Sequence, residues 1–191
     1  MRPPLVPKED VLNELTKVFR ESGLEGATLT RISRATGLGK ASLYHHFPGG
    51  KQEMALAVVK RSNLQLQEKV IGPLQGDGEP TARIRQMMRN LDKYYGSGKE
   101  SCLLGVLTVT GSRGLFHEHI KVGFATWIKS LASVLVEAGL PKKLATTRAE
   151  NAIFSIEGAL VVCRGLGNVA SFRRLLRELS ADLLREVEDP I

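Results

Sequence analysis

Between Gly26 and Gln52 the chain has no aspartate and no glutamate, although the two acids supply 20 of its 191 residues. The same stretch holds Arg31, Arg34, Lys40 and Lys51, a local +4 within a formal net charge of +7. So one-sided a segment favours a polyanionic partner; the sequence pI near 9.6 alone says far less. Cysteine is scarce: Cys102 and Cys163 are the only two, and both sit in apolar runs, "SCLLGVLTV" and "ALVVCRG". That excludes a disulfide scaffold and leads us to expect two buried thiols in a reducing compartment. A redox sensor needs an exposed thiol of low pKa, and no base lies close in sequence to Cys102. No apolar run approaches the ~20 residues that span a bilayer. "MRPPLVPKED" contains no apolar core of a secretion signal. We therefore expect a cytoplasmic chain without a membrane partner. GxSxG, P-loop and GxGxxG motifs are missing, as are spaced carboxylate pairs, so we expect neither an enzyme nor a cofactor. There is no β-hairpin signal, internal repeat or low-complexity tract.

What is present is helical periodicity. Val11, Leu12, Leu15, Val18 and Phe19 make one apolar stripe. Pro7 suits the first turn of that helix, Glu9 and Asp10 suit its positive end, and Gly23 stops it. The Thr28 hydroxyl can cap a second helix that runs to Thr36, with Gly37 ending it. A third, short helix starts near Gly39 or Lys40 and ends at "FPGG". Longer helices follow: Lys51 to Ile71, stopped by "GP", and one after "DGEP" with Ile84, Met87, Met88, Leu91 and Tyr95 at helical spacing. "CLLGVLTVT" fits a buried strand or a buried helix; the lack of other strands favours helix. Phe116, Ile120, Phe124, Trp127, Leu131 and Leu135 mark a further helix, ended by Gly139 and Pro141. Two more run from about Leu144 to Leu166 and from Ser171 to Val187. The class is all-α.

Within this pattern "GLGKASLYHHF", residues 37–47, places polar and cationic side chains where a core helix would not. Two short helices joined by a tight glycine-bearing turn point to a helix-turn-helix. Ser33, Gly37 and Leu43 take the small, turn and buried positions of that motif. Leu43 and Phe47, four apart, turn inward toward Ile32 and the first helix. Lys40, Ala41, Ser42, Tyr44, His45 and His46 are left outside, a face able to enter a major groove. Lys40 and Ser42 stand nearer the groove floor, whereas Tyr44, His45 and Lys51 suit phosphates. Metal binding is the weaker use of the histidines. His45 and His46 are adjacent and diverge, and so do His117 and His119 in "HEH".

The stretch "LEGATLTRISRATGLGKASLYHHFPGGKQEMALAVV" resembles the N-terminal signature of the TetR family of transcriptional regulators, at Gly26, Thr28, Ile32, Ala35, Gly37, Leu43, Tyr44, Phe47 and Lys51. "FPGGK" and "SCLLG" further resemble its LmrA/YxaF-like subgroup. Two positions depart from the pattern. Gly39 stands where a capping serine is common, and Ser33 stands where alanine is usual, with a hydroxyl that can bond back to a helical carbonyl.

The resemblance implies an N-terminal three-helix DNA-binding domain, residues 1–50, and a larger helical domain, residues 51–191, that binds a ligand and dimerises. DNA is then expected at Thr28, Arg31, Lys40, Ala41, Ser42, Tyr44, His45, His46 and Lys51. An apolar, aromatic effector is expected among Met88, Leu91, Tyr95, Leu107, Phe116, Phe124, Trp127 and Phe154. Tyr95 and Glu157 are the candidate polar anchors, Glu157 serving equally well in a structural salt bridge to Arg164, to Arg148 or across the dimer. The spacing of Phe172, Leu176, Leu179, Leu183 and Val187 fits a helix-packing seam, and Ala145, Ala149, Ala152 and Ile156 give a small-residue face beside it. Together they are the expected homodimer interface, across which a near-palindromic operator would be bound and, as in most of the family, repressed. The alternative is a ligand- or redox-sensing helical protein without specific DNA binding.

Overall fold

The computed structural model describes residues 7–110, 114 and 116–185. The segment "MRPPLV" and Val187 lie outside the described residues. Among those described the chain is helical and has no strand. Packing divides it into two compact units, Met1–Leu64 with Cys102–Lys121, and Gln65–Ser101 with Val122–Ile191.

In the first unit α1, Lys8–Gly26, runs through Gly23, where a φ of 62° breaks the helical path and one last turn follows. α2, Leu29–Thr36, and α3, Lys40–His46, come next, and α4 spans Gly50–Leu66. Val11, Leu15, Phe19, Ile32, Leu43, Phe47, Met54 and Val58 are at most 1% exposed and form the core on which these helices close. The apolar segment 102–110 is resolved in favour of helix, as α7, Leu103–Thr110, which packs on α1. The Thr110 hydroxyl fills the space at Gly23, where a Cβ would stand 2.3 Å from Oγ1, and it accepts the Leu24 amide at 3.3 Å. Glycine is required there by its positive φ and by this close approach.

In the second unit the helix that follows α4 outlasts its expected end. "GP" does not stop the helix after Ile71; the chain continues through a π-helical turn, Gln67–Ile71, into α5, Gly72–Gln75, with Pro73 tolerated in a first turn. α6, Pro80–Tyr94, and a 3₁₀ turn, Gly96–Gly98, lead out of it. After α8, His117–Glu137, come α9, Lys142–Leu166, and α10, Ala170–Asp182, which pack on one another, while α10 also packs on α6. Tyr95 and Phe172 meet edge to face at 6.3 Å in this core. The Arg148 guanidinium donates to the carbonyls of Leu183 and Arg185, at 2.9 and 2.7 Å, and so satisfies the open end of α10. Arg148 is thereby engaged away from Glu157. Cys102 and Cys163 form no disulfide and are both buried. No described helix is long and apolar enough to cross a membrane.

Candidate nucleic-acid interface

The turn from α2 to α3 is held by side chains. The Thr28 hydroxyl accepts the Arg31 amide at 3.2 Å, capping α2. At the other end Gly37 is left-handed, with φ 69°, and closes the helix. Thr36 Oγ1 donates to the Ile32 carbonyl at 2.8 Å and accepts the Leu38 amide at 3.3 Å. Ser33 departs from the expectation that it would bond back within its own helix. Its hydroxyl donates forward to the Leu38 carbonyl at 2.5 Å and ties the turn to α2. Gly39 caps α3 in an extended conformation without a side-chain bond.

α3 then has two unlike faces. Leu43 is fully buried, and Phe47, which follows the helix, is 1% exposed. Lys40, Ala41, Ser42, Tyr44 and His45 are exposed, Tyr44 by 46%. His46 is only half-exposed, its ring 6.3 Å from that of Phe47. It is therefore less free for a partner than the sequence pattern implied. Thr28 and Arg31 are exposed and Lys51 is half-buried. Two of the cations already have loose acidic neighbours on α1. Arg31 lies 3.7 Å from Glu21, and Lys51 lies 4.0 Å from Glu25. Exposed pairs of this kind contribute only ~0–1 kcal/mol, so phosphates can displace them. Just behind, the Glu53 carboxylate accepts the Gly49 amide at 2.6 Å and fixes the start of α4 beside the α3 face.

The arrangement is a short rigid helix with a small, polar, cationic outer surface and flanking donors. It can follow a groove and hold phosphates on either side. It brings no nucleophile or general base into a cleft. Among the described residues no three histidine, cysteine, aspartate or glutamate side chains are placed to hold a metal.

The residues expected to surround an effector are distributed unevenly. Met88, Leu91, Tyr95 and Trp127 are buried in the second unit and Phe124 is half-buried there. Trp127 is fully buried, and its indole N–H has no hydrogen-bond partner among the described residues. Leu107 and Phe116 are buried in the first unit. Phe154 points outward, 65% exposed, and lines no interior space. Glu157 is half-buried, with its Oε1 atom shielded from solvent.

The expected dimer residues are also relocated. Ala145, Ala149, Ala152, Ile156, Phe172, Leu176 and Leu183 are at most 4% exposed within the single chain, and Leu179 is half-buried. Within the protomer these side chains pack mainly against their own chain, and Leu179 keeps part of its surface. The opposite side of α9 carries a second apolar stripe, and this one is open. There Phe154, Val161, Val162 and Leu166 are 65, 72, 55 and 72% exposed, with open space at Gly158 and Gly165. The spacing 154, 158, 161, 165 was the available signal.

Residues 11–58 match the family model of bacterial regulatory proteins of the tetR family. Residues 80–178 match that of the LmrA/YxaF-like transcriptional regulator C-terminal domain. The chain is 26% identical over 130 residues to the HTH-type transcriptional regulator LmrA of Bacillus subtilis, covering 68% of this chain and 69% of that one. Among solved structures it is similar to a TetR transcriptional regulator from Legionella pneumophila, with TM-score 0.80 and 20% identity over 96% of this chain and 97% of that one. It is also similar to a cysteine mutant of the TetR family regulator CifR complexed with double-strand operator DNA, with TM-score 0.74 and 18% identity over 94% of this chain and 98% of that one.

Proposed function

We propose that this chain, which belongs to the TetR family of bacterial regulatory proteins and is a transcriptional regulator with an LmrA/YxaF-like C-terminal domain, binds a near-palindromic operator as a homodimer and represses transcription until a small apolar effector releases it. The observation that carries the reading is α3, whose inner side is buried to 0% at Leu43 while Lys40, Ser42, Tyr44 and His45 stand exposed over an acid-free stretch. Residues 1–50 act as the DNA-binding part and residues 51–191 as the effector and dimerisation part, in the cytoplasm where the operator lies. Lys40 and Ser42 reach base edges. Thr28, Arg31, Tyr44, His45 and Lys51 hold phosphates, Ala41 allows close approach, and His46 contributes from the margin.

The exposed apolar stripe of α9 supports a twofold interface, since an uncovered patch of this kind marks an interaction surface. The effector binds mainly by apolar burial near Met88, Leu91, Tyr95, Phe124 and Trp127. Release requires the effector to prefer a conformation in which the two α3 helices no longer fit successive grooves. α4 starts beside α3, and its last residues belong to the second unit, which makes it the lever. A tenfold preference supplies ~1.4 kcal/mol, and a clean switch needs several times that.

The test is fluorescence anisotropy with duplex DNA from upstream of the chain's own gene, against a scrambled duplex, at low and moderate salt. Preference for the genuine duplex should persist at both salts. With six to ten phosphate contacts, affinity should fall ~10³–10⁵-fold between ~50 and ~200 mM salt. Equal binding to both duplexes would favour the alternative of a sensor without specific DNA recognition.

A further inference from the structure

α6 and α10 pack side by side and leave a groove of about 490 Å³ within the second unit. That volume is in the range of small-molecule sites. Met88 and Leu176 form its apolar floor, with 5 and 4% of their surface open. Its walls are cationic: Arg85, Arg89 and Lys93 follow one stripe of α6, and Arg173 and Arg177 follow the facing stripe of α10. Five cations thus meet one carboxylate, Asp92, for a net +4. Asp92 lies 3.3 Å from the Arg173 Nε and neutralises that guanidinium alone. Arg85, Arg89, Lys93 and Arg177 have no carboxylate partner among the described residues.

Four cations without carboxylate partners line this apolar floor, and an anion held among them would gain from each. Guanidinium forks on facing helices match the oxygens of a phosphate, two parallel bonds at a time. The floor adds a requirement for hydrocarbon. We propose that this groove binds a small amphipathic phosphate monoester, an oxyanion head of two charges on an apolar tail. It is separate from the DNA-facing helix α3, and it differs in chemistry from the apolar effector residues, sharing only Met88 with them.

Calorimetry on the full chain in phosphate-free buffer tests it with octyl phosphate, octanoate, inorganic phosphate and octanol. Octyl phosphate should bind once per chain, at least tenfold tighter than octanoate or inorganic phosphate, and should weaken as salt rises. Octanol should give no saturable heat. The double variant R89Q/R177Q alters two exposed side chains and should retain the wild-type helical circular dichroism while losing at least tenfold in affinity for octyl phosphate. D92N, which frees Arg173, should bind it severalfold tighter, a gain that a merely structural role would not produce. Octanol matching octyl phosphate, unchanged affinity in R89Q/R177Q, or weaker binding by D92N would overturn the proposal. So would a short DNA duplex that displaces octyl phosphate and itself loses affinity in R89Q/R177Q, because the groove would then belong to nucleic acid.

Discussion

Lys40 and Tyr44 share the exposed face of α3 but differ in reach, and that difference separates their expected phenotypes. Lys40 stands in the first turn, where side chains approach base edges. Lys40→Ala should remove ~1–3 kcal/mol of discrimination at one base pair of each half-site, read by competing single-substitution duplexes. Tyr44→Phe and Lys51→Ala should instead weaken every duplex alike, because phosphate contacts carry no sequence information. Most of the exposed positions were legible from the sequence, since Leu43 and Phe47 fix which way the helix turns. The direction of the Ser33 bond was not, because a hydroxyl has several carbonyls within reach and only the folded turn selects Leu38. The partial burial of His46 was not legible either. Its neighbour Phe47 turns inward and takes part of the ring with it.

At the scale of elements, the α2–α3 turn depends on one left-handed glycine. A Cβ at Gly37 would meet no atom within 4 Å, so the cost of Gly37→Ala is conformational alone, ~1–2 kcal/mol. The expected result is a fall in Tm of a few degrees and a matching loss of DNA affinity, while Gly39→Ser, at an open cap, should stabilise by a few tenths of a kcal/mol. α9 shows where periodicity stops informing. Both of its faces carry apolar residues at a 3–4 repeat, and burial alone distinguishes the core face of Ala149, Ala152 and Ile156 from the open face of Phe154 and Val161. Ile156→Ala should therefore cost ~2–5 kcal/mol of stability. Val161→Asp should leave the protomer within ~0.5 kcal/mol, since Val161 is 72% exposed, yet shift light scattering from dimer to monomer. A Val161→Asp protein that stays dimeric would remove α9 from the interface.

The whole molecule was the most legible level in class and the least in assembly. Helical spacing, glycine stops and the spaced motif at 24–59 were enough for an all-α chain headed by a helix-turn-helix. That residues 102–121 pack with the N-terminal helices was not visible, because a short apolar run such as "CLLGVLTVT" carries no mark of which core it joins. Effector action belongs to this scale. Hydrophobic aromatics that quench Trp127, fully buried in the second unit, should also lower operator affinity. Quenching without any change in DNA binding would show a site that is not coupled. The central claim, a dimer that reads DNA through α3, is met most directly by selecting bound sequences from a pool of randomised duplexes with the wild-type chain and with Lys40→Ala. The account predicts that the wild type enriches a near-palindrome with half-sites spaced by whole helical turns, and that Lys40→Ala relaxes the same position in both halves. An asymmetric or absent consensus, or an identical one from Lys40→Ala at unchanged affinity, would contradict it.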